Sequence, residues 1–237
     1  DESESRGLGD VYKRQSLDQS LKRMKVDYFD LFYSHRFDPE TPLDETMGVL
    51  DSAVRQGKAL YTGISSYSES STRKAYGVTK ENGFAPLAIH QPNYSMLNRW
   101  IEDGLTDTCE ELGLGIIAFC PLFQGLLTDK YLNGIPDGSR ASLDKSPLRK
   151  NEVSEQNIRV IRDLNDHALE RGQTLAQMAL SWVLRDKRVT SALIGASSAS
   201  QILENIKSVE QMDFSADELQ KLCLLYTSPS PRDSDSS

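Results

Sequence analysis

His35 directly follows an apolar run, Tyr28 to Ser34, at the strand end where parallel α/β enzymes place their catalytic groups. An imidazole changes charge near neutral pH, but a lone histidine can equally be a strand-end residue packed under a loop, so its surroundings must decide. Polar groups recur in the same relative place after four further apolar runs: Ser65-Ser66-Tyr67, Gln91-Pro92-Asn93, Cys120-Pro121-Leu122 and Gly195-Ala196-Ser197-Ser198. Any one of these could simply start a turn. Five together point to a common rim. Lys130 and Arg140, separated by Gly134, Pro136 and Gly138, flank a loop and cannot share a helix face; they are either anion contacts or solvated cations. Gln201, Glu204 and Asn205 fall at i, i+3 and i+4 and share one helical face, while Ile202, Ile206 and Val209 make a second stripe that is expected to pack. His90 and His167 keep structural readings, the first beside Gln91 at a strand end and the second mid-helix.

The elements that must position these residues alternate. A helix from about Leu17 to Met24 feeds the strand Tyr28–Ser34, and Thr41, Pro42 and Asp44 read as N-cap, first-turn proline and acidic third residue of a helix ended by Gly57. Strands follow at Ala59–Ile64, Leu87–Gln91, Gly115–Phe119 and Thr190–Ile194. Between and after them lie helices capped by Ser68, through Thr106–Leu112, over Ser154–Arg171 and Thr174–Asp186, and from Ser200 to about Val209. Ser215 with Glu218 forms a capping box for a last helix near Leu222. Strands alternating with helices specify a parallel sheet with right-handed crossovers, which leaves an open doubly wound sheet or a barrel. The run Gly113-Leu114-Gly115-Ile116-Ile117-Ala118 matches a dinucleotide fingerprint in letters only. A helix ends and a strand begins there, the reverse of what that motif needs.

Composition narrows the function classes. The chain has 237 residues, within the range of one α/β barrel, and a net charge of −8, which offers no basic stripe for nucleic acid or an anionic membrane. Cys109, Cys120 and Cys223 form no C-x-x-C pair and have no histidine at metal spacing, so no metal site is expected and a reducing cytoplasm fits best. No apolar run approaches the length of a membrane-spanning helix.

Several motifs together resemble the aldo-keto reductases: Tyr28-Phe29-Asp30-Leu31-Phe32-Tyr33-Ser34-His35-Arg36, Gly63-Ile64-Ser65-Ser66, His90-Gln91-Pro92-Asn93-Tyr94, Pro121-Leu122-Phe123-Gln124-Gly125-Leu126-Leu127-Thr128, and Leu193-Ile194-Gly195-Ala196-Ser197 with Gln201 and Glu204-Asn205. Within that family the similarity leans to the branch holding bacterial glyceraldehyde-3-phosphate reductases and potassium-channel β-subunits. The resemblance implies an α/β fold, a partial (β/α)8 TIM barrel with strands 4 to 8 present and the first three βα units missing. It implies NADPH (NADP) as cofactor and a small-molecule carbonyl substrate. His35 would polarise the substrate carbonyl; Ser65, Ser66 and Gln91 would hold the nicotinamide carboxamide, and Phe119 would stack on its ring. Cys120, Pro121, Leu122, Gly125, Leu126 and Gly195 would line the cofactor. Lys130 and Arg140 would fold over its phosphates, Arg140 facing the 2′-phosphate, and Ser197, Gln201, Glu204 and Asn205 would take the adenosine end.

The Asp, Tyr and Lys that complete the family's catalytic set have no match here, so an inactive fragment of a reductase is expected, with residues 16–222 as the partial barrel. Residues 1–15 and 223–237 lack packing patterns and resemble strings that recur at the ends of translated sequencing fragments; both are expected to be non-native or disordered. Five strands of eight leave unpaired edges, so poor solubility and weak or absent NADPH binding are expected. Two other readings stay open, a channel-β-like NADPH sensor and an unrelated phosphate-binding barrel. An oligomer is left open for the full-length parent.

Overall fold

Five short strands and eight α-helices alternate along the described residues, which are 8–143, 148 and 152–226 of a computed structural model. Helix α1 (Leu8–Met24) leads into β1 (Phe29–Ser34), followed by α2 (Leu43–Arg55), β2 (Ala59–Ser65), α3 (Glu69–Glu81), β3 (Leu87–Gln91), α4 (Leu105–Leu112) and β4 (Gly115–Phe119). Then come α5 (Glu155–Glu170), α6 (Leu175–Leu184), β5 (Val189–Leu193), α7 (Ala199–Ile206) and α8 (Ala216–Tyr226). The strands form one sheet in the order β1-β2-β3-β4-β5, and the pairings β1–β2, β2–β3 and β3–β4 are parallel. Neighbours in sequence are thus neighbours in the sheet, as repeated βα crossovers require.

The described residues divide into two compact units. The first runs to Pro92 and includes Ile101–Ile117; the second holds Asn93–Trp100 and continues from Ala118. In the first unit α1 packs on α2 and the strands through Leu17, Leu21, Ala53 and Ala59, with Phe29, Phe32 and Val54 against them. Gly63 sits where β2 and β3 touch: a Cβ there would lie 2.5 Å from Ile89 Cγ1 and 3.0 Å from the Ile89 carbonyl oxygen. Only hydrogen fits. In the second unit Trp182 is buried beside Tyr94, with ring centroids 5.4 Å apart, and carries the Arg185 guanidinium over its face at 3.7 Å and that of Arg99 at 5.3 Å.

Local chemistry explains most element ends. Ser68, Ser154, Thr174 and Ser198 accept the backbone N–H three residues on, each satisfying a donor that the first helical turn cannot. Ser215 and Glu218 make the capping box reciprocally. Elsewhere the structure departs from the sequence reading. Pro42, not Thr41, is the N-cap of α2; the Thr41 hydroxyl donates to Asp38 at 2.6 Å instead, so that helix begins without a side-chain cap. Helix α1 starts at Leu8, well before Leu17, and α8 continues through Cys223 to Tyr226. Residues 1–7 of the expected leader and 227–237 of the expected tail lie outside the described residues. The stripe expected to pack on α7 does not: Ile202 is 45% exposed, Ile206 54% and, just beyond, Val209 53%. Periodicity marks a face that is apolar but does not supply the surface that covers it.

Candidate functional site

The ends of β1, β2 and β3 are held level by register: Ser34 pairs with Ile64, Ile64 with His90, and Ser65 with Gln91. Three hydrogen bonds then converge on Gln91. Its carbonyl oxygen accepts from Ser65 Oγ at 2.7 Å and from the Ser66 N–H at 3.2 Å, and its side-chain Oε1 accepts from the Tyr33 hydroxyl at 3.1 Å. With Oε1 engaged, the Gln91 amide points its Nε2 donor elsewhere, and it has no partner among the described residues. Ser66 is exposed and sits at φ +58°, a left-handed conformation costing a non-glycine residue about 1–2 kcal/mol. Such strain persists where surrounding bonds hold it, and here the bond to Gln91 does so. His35 follows Ser34 and is exposed. The structure therefore brings Ser65, Ser66 and Gln91 together through direct bonds and sets His35 one residue beyond the end of β1.

His90 is fully buried and its Nε2 lies 3.1 Å from the Tyr67 carbonyl oxygen, which makes Nε2 the donor of a neutral ring. Burial pushes its pKa down to about 4. Tyr67 is also buried, and desolvation raises its pKa, so the hydroxyl stays protonated and donates to Ser34 Oγ at 3.1 Å. His167 is half-buried, with Nδ1 3.4 Å from Glu170.

In the second unit the turn after β4 carries the remaining candidates. Phe119 is half-buried, bridges Asn93, and accepts from the Tyr94 N–H at 3.2 Å. Cys120, Phe123 and Gln124 all have positive φ, at 55°, 45° and 57°, and Gly125 follows at 93°. Pro121 and Leu126 are buried and Leu122 is half-buried. Gln124 ties this turn to Arg140: its Oε1 accepts from Arg140 Nη1 at 2.9 Å while its Nε2 donates to Cys120 Sγ at 3.0 Å. Burial raises the Cys120 pKa and the nearby Arg140 charge offsets part of that. Arg140 is exposed and meets no carboxylate among the described residues. Lys130 is exposed on a 3₁₀ turn, Asp129–Tyr131, begun by Thr128.

The α7 candidates are arranged differently from the sequence reading. Ser197 donates to Gln201 Oε1 through both its N–H, at 2.8 Å, and its hydroxyl, at 3.2 Å. Donors that could face an anion are thus taken up within the turn. Glu204 accepts from Gln177 Nε2 at 3.3 Å through Oε2 and from Lys207 Nζ at 2.8 Å through Oε1. Asn205 is half-buried and Gly195 exposed. Sequence reasoning missed Tyr33, Tyr67 and Gln124 as site-supporting residues. Gln124 stands four residues after Cys120 within the quoted Pro-Leu-Phe-Gln-Gly run, but only the folded turn shows the amide spanning thiol and guanidinium.

A profile of the Aldo/keto reductase family matches residues 2–225. The chain belongs to this family. It is similar to the L-glyceraldehyde 3-phosphate reductase of Escherichia coli O157:H7, 51% identical over 215 residues that make up 89% of this chain and 62% of the relative. The similarly named protein of Escherichia coli strain K12 is 52% identical over 215 residues, with the same coverage. The aldo/keto reductase chain thus spans 62% of the length of these curated relatives. Enzymes of this family act on carbonyl compounds with a nicotinamide cofactor. In the first unit Ser66 Oγ and Gln91 Nε2 have no partner among the described residues and suit a carboxamide; in the second, taken by itself, Arg140 meets no carboxylate among the described residues. Among the described residues no cluster of His, Cys, Asp or Glu could hold a metal, and no helix is long and apolar enough to cross a membrane.

Proposed function

We propose that this chain is the cofactor-holding part of a cytoplasmic NADPH-dependent aldehyde reductase, acting on glyceraldehyde 3-phosphate or methylglyoxal-like aldehydes in the parent protein. The convergence of Ser65, Ser66 and Tyr33 on Gln91 carries this reading, because it leaves a hydroxyl and an amide donor at the ends of strands in register with β1, which His35 directly follows. When bound, the nicotinamide supplies the hydride. In the first unit Ser66 Oγ and Gln91 Nε2 orient a carboxamide, and the His35 imidazole donates a hydrogen bond to the carbonyl oxygen, where negative charge develops. In the second unit Phe119 offers an aromatic face and Lys130 and Arg140 take phosphates, Arg140 being suited to a 2′-phosphate because a guanidinium presents paired donors. Gly195, Ser197, Gln201, Glu204 and Asn205 serve the adenosine end once Gln201 releases Ser197 and Glu204 exchanges partners.

The strands correspond to strands 4 to 8 of the parent barrel, with residues 16–222 as the native segment and the two ends as additions. A chain lacking the family's general-acid tyrosine would turn over slowly, since losing general-acid help alone costs about 10²- to 10⁴-fold. Nucleotide titration followed by backbone NMR tests the reading. At about 1 mM, near the −4 kcal/mol expected of a weak site, NADPH shifts the amides of Ser66, Gln91 and Arg140, and NADH spares Arg140. Absence of any shift with NADPH overturns it. A channel-β-like sensor role is favoured instead if NADPH binds at micromolar concentration.

A further inference from the structure

The turn that carries His35 is fastened on both sides by one buried side chain. Tyr67 is 1% exposed; its hydroxyl donates to Ser34 Oγ at 3.1 Å, and its ring meets that of Phe37 edge-on, with centroids 5.3 Å apart at 75°. Ser34 in turn donates its own hydroxyl proton to the carbonyl oxygen of Arg36 at 3.2 Å, closing the turn around His35. The three bonds run in one direction without competition for protons: His90 Nε2–H to the Tyr67 carbonyl, the Tyr67 O–H to Ser34 Oγ, and the Ser34 O–H to the Arg36 carbonyl. His90 and Tyr67 are fully buried, His90 in β3 and Tyr67 two residues past the end of β2, so the post is enclosed where the turn is exposed. His35 itself has no side-chain partner among the described residues, so its placement depends on the backbone on either side of it.

The geometry points to Tyr67 as a positioning residue for His35, acting through the Ser34 hydroxyl and the Phe37 ring to hold the imidazole in a fixed direction at the end of β1. This rests on the reading of His35 as the carbonyl-polarising group, but its test does not need a bound nucleotide. The chain has three histidines, so their imidazole Cε1–H NMR signals are separable with His→Gln variants. Tyr67→Phe keeps the ring and deletes the hydroxyl; Ser34→Ala removes the same bond from the other side. Both variants shift the His35 signal and speed amide exchange over residues 34–37 about tenfold, the size expected for one buried hydrogen bond. The doubly substituted chain goes no further than Ser34→Ala alone, because that change already removes both the Tyr67–Ser34 and the Ser34–Arg36 bonds. The His90 signal stays that of a neutral ring at pH 6 in Ser34→Ala, which separates lost positioning from lost folding. Unchanged His35 and turn exchange in both variants, or effects that add in the double variant, overturn the inference. Nucleotide titration that moves nothing while these signals respond would instead remove the proposed function and leave the positioning intact.

Discussion

The strand ends of the first unit and the loop of the second solve opposite problems. Around Gln91 most polar groups bond a neighbour, while Ser66 Oγ, Gln91 Nε2 and the His35 ring are surface groups without a partner among the described residues. Around Arg140 the backbone bends through three non-glycine residues at positive φ, and the cation is held on one side by an amide and exposed on the other. The first arrangement is suited to orienting a planar group to within a fraction of an ångström; the second suits charge capture, which tolerates looser geometry because Coulomb attraction falls slowly with distance.

Acid should break the first region most. His90 has a folded pKa of about 4, below its ordinary 6.5, so the unfolded chain binds the extra proton first and stability is lost as the pH falls from 6.5 towards 4. The full effect is about 3 kcal/mol, read as a falling urea midpoint, and His90→Leu removes that slope while lowering stability at pH 7.

Gly63→Ala comes next. The added methyl meets the Ile89 side chain and carbonyl and should cost about 2 kcal/mol in thermal or urea unfolding, with loss of the Ser65–Gln91 bond. In the second region, Arg140→Ala should leave stability unchanged and weaken binding of a 2′-phosphorylated adenosine nucleotide about tenfold, with no effect on the unphosphorylated one. The smallest effect contrasts the two directly. Ser66→Gly and Gln124→Gly each relieve a left-handed backbone worth about 1 kcal/mol, but Ser66→Gly also removes the carboxamide-facing hydroxyl and should weaken phosphorylated and unphosphorylated nucleotides alike, whereas Gln124→Gly frees Arg140 and should change affinity only for the 2′-phosphorylated one.

What the sequence made legible was whatever is decided locally. The apolar runs of β3 and β4 fall on Leu87–Gln91 and Gly115–Phe119, Ser68 caps its helix as read, and the helices expected from Ser154 and Thr174 begin at those residues as caps, because strand burial and a single side-chain bond leave marks in neighbouring residues. The 3₁₀ turns at 123–125, 129–131 and 140–142 left no such mark, since their shape follows from packing of the loop as a whole. Thr41 failed as a cap because Asp38, three residues earlier, offered its hydroxyl an acceptor. Of the candidate site, the strand-end positions were readable, while the bonds among Tyr33, Tyr67, Gln91 and Ser34 join residues far apart in the chain. The α7 group shows the limit most plainly: the i, i+3, i+4 spacing is real, but Gln201 and Glu204 spend their side chains on Ser197, Gln177 and Lys207.

The burial of Trp182 between Tyr94 and two guanidinium groups has a practical reach beyond packing. Both tryptophans of the chain, Trp100 and Trp182, belong to the second unit. Indole emission therefore reports directly on the surroundings of residues of that unit, and the strand ends that carry His35 need a probe of their own.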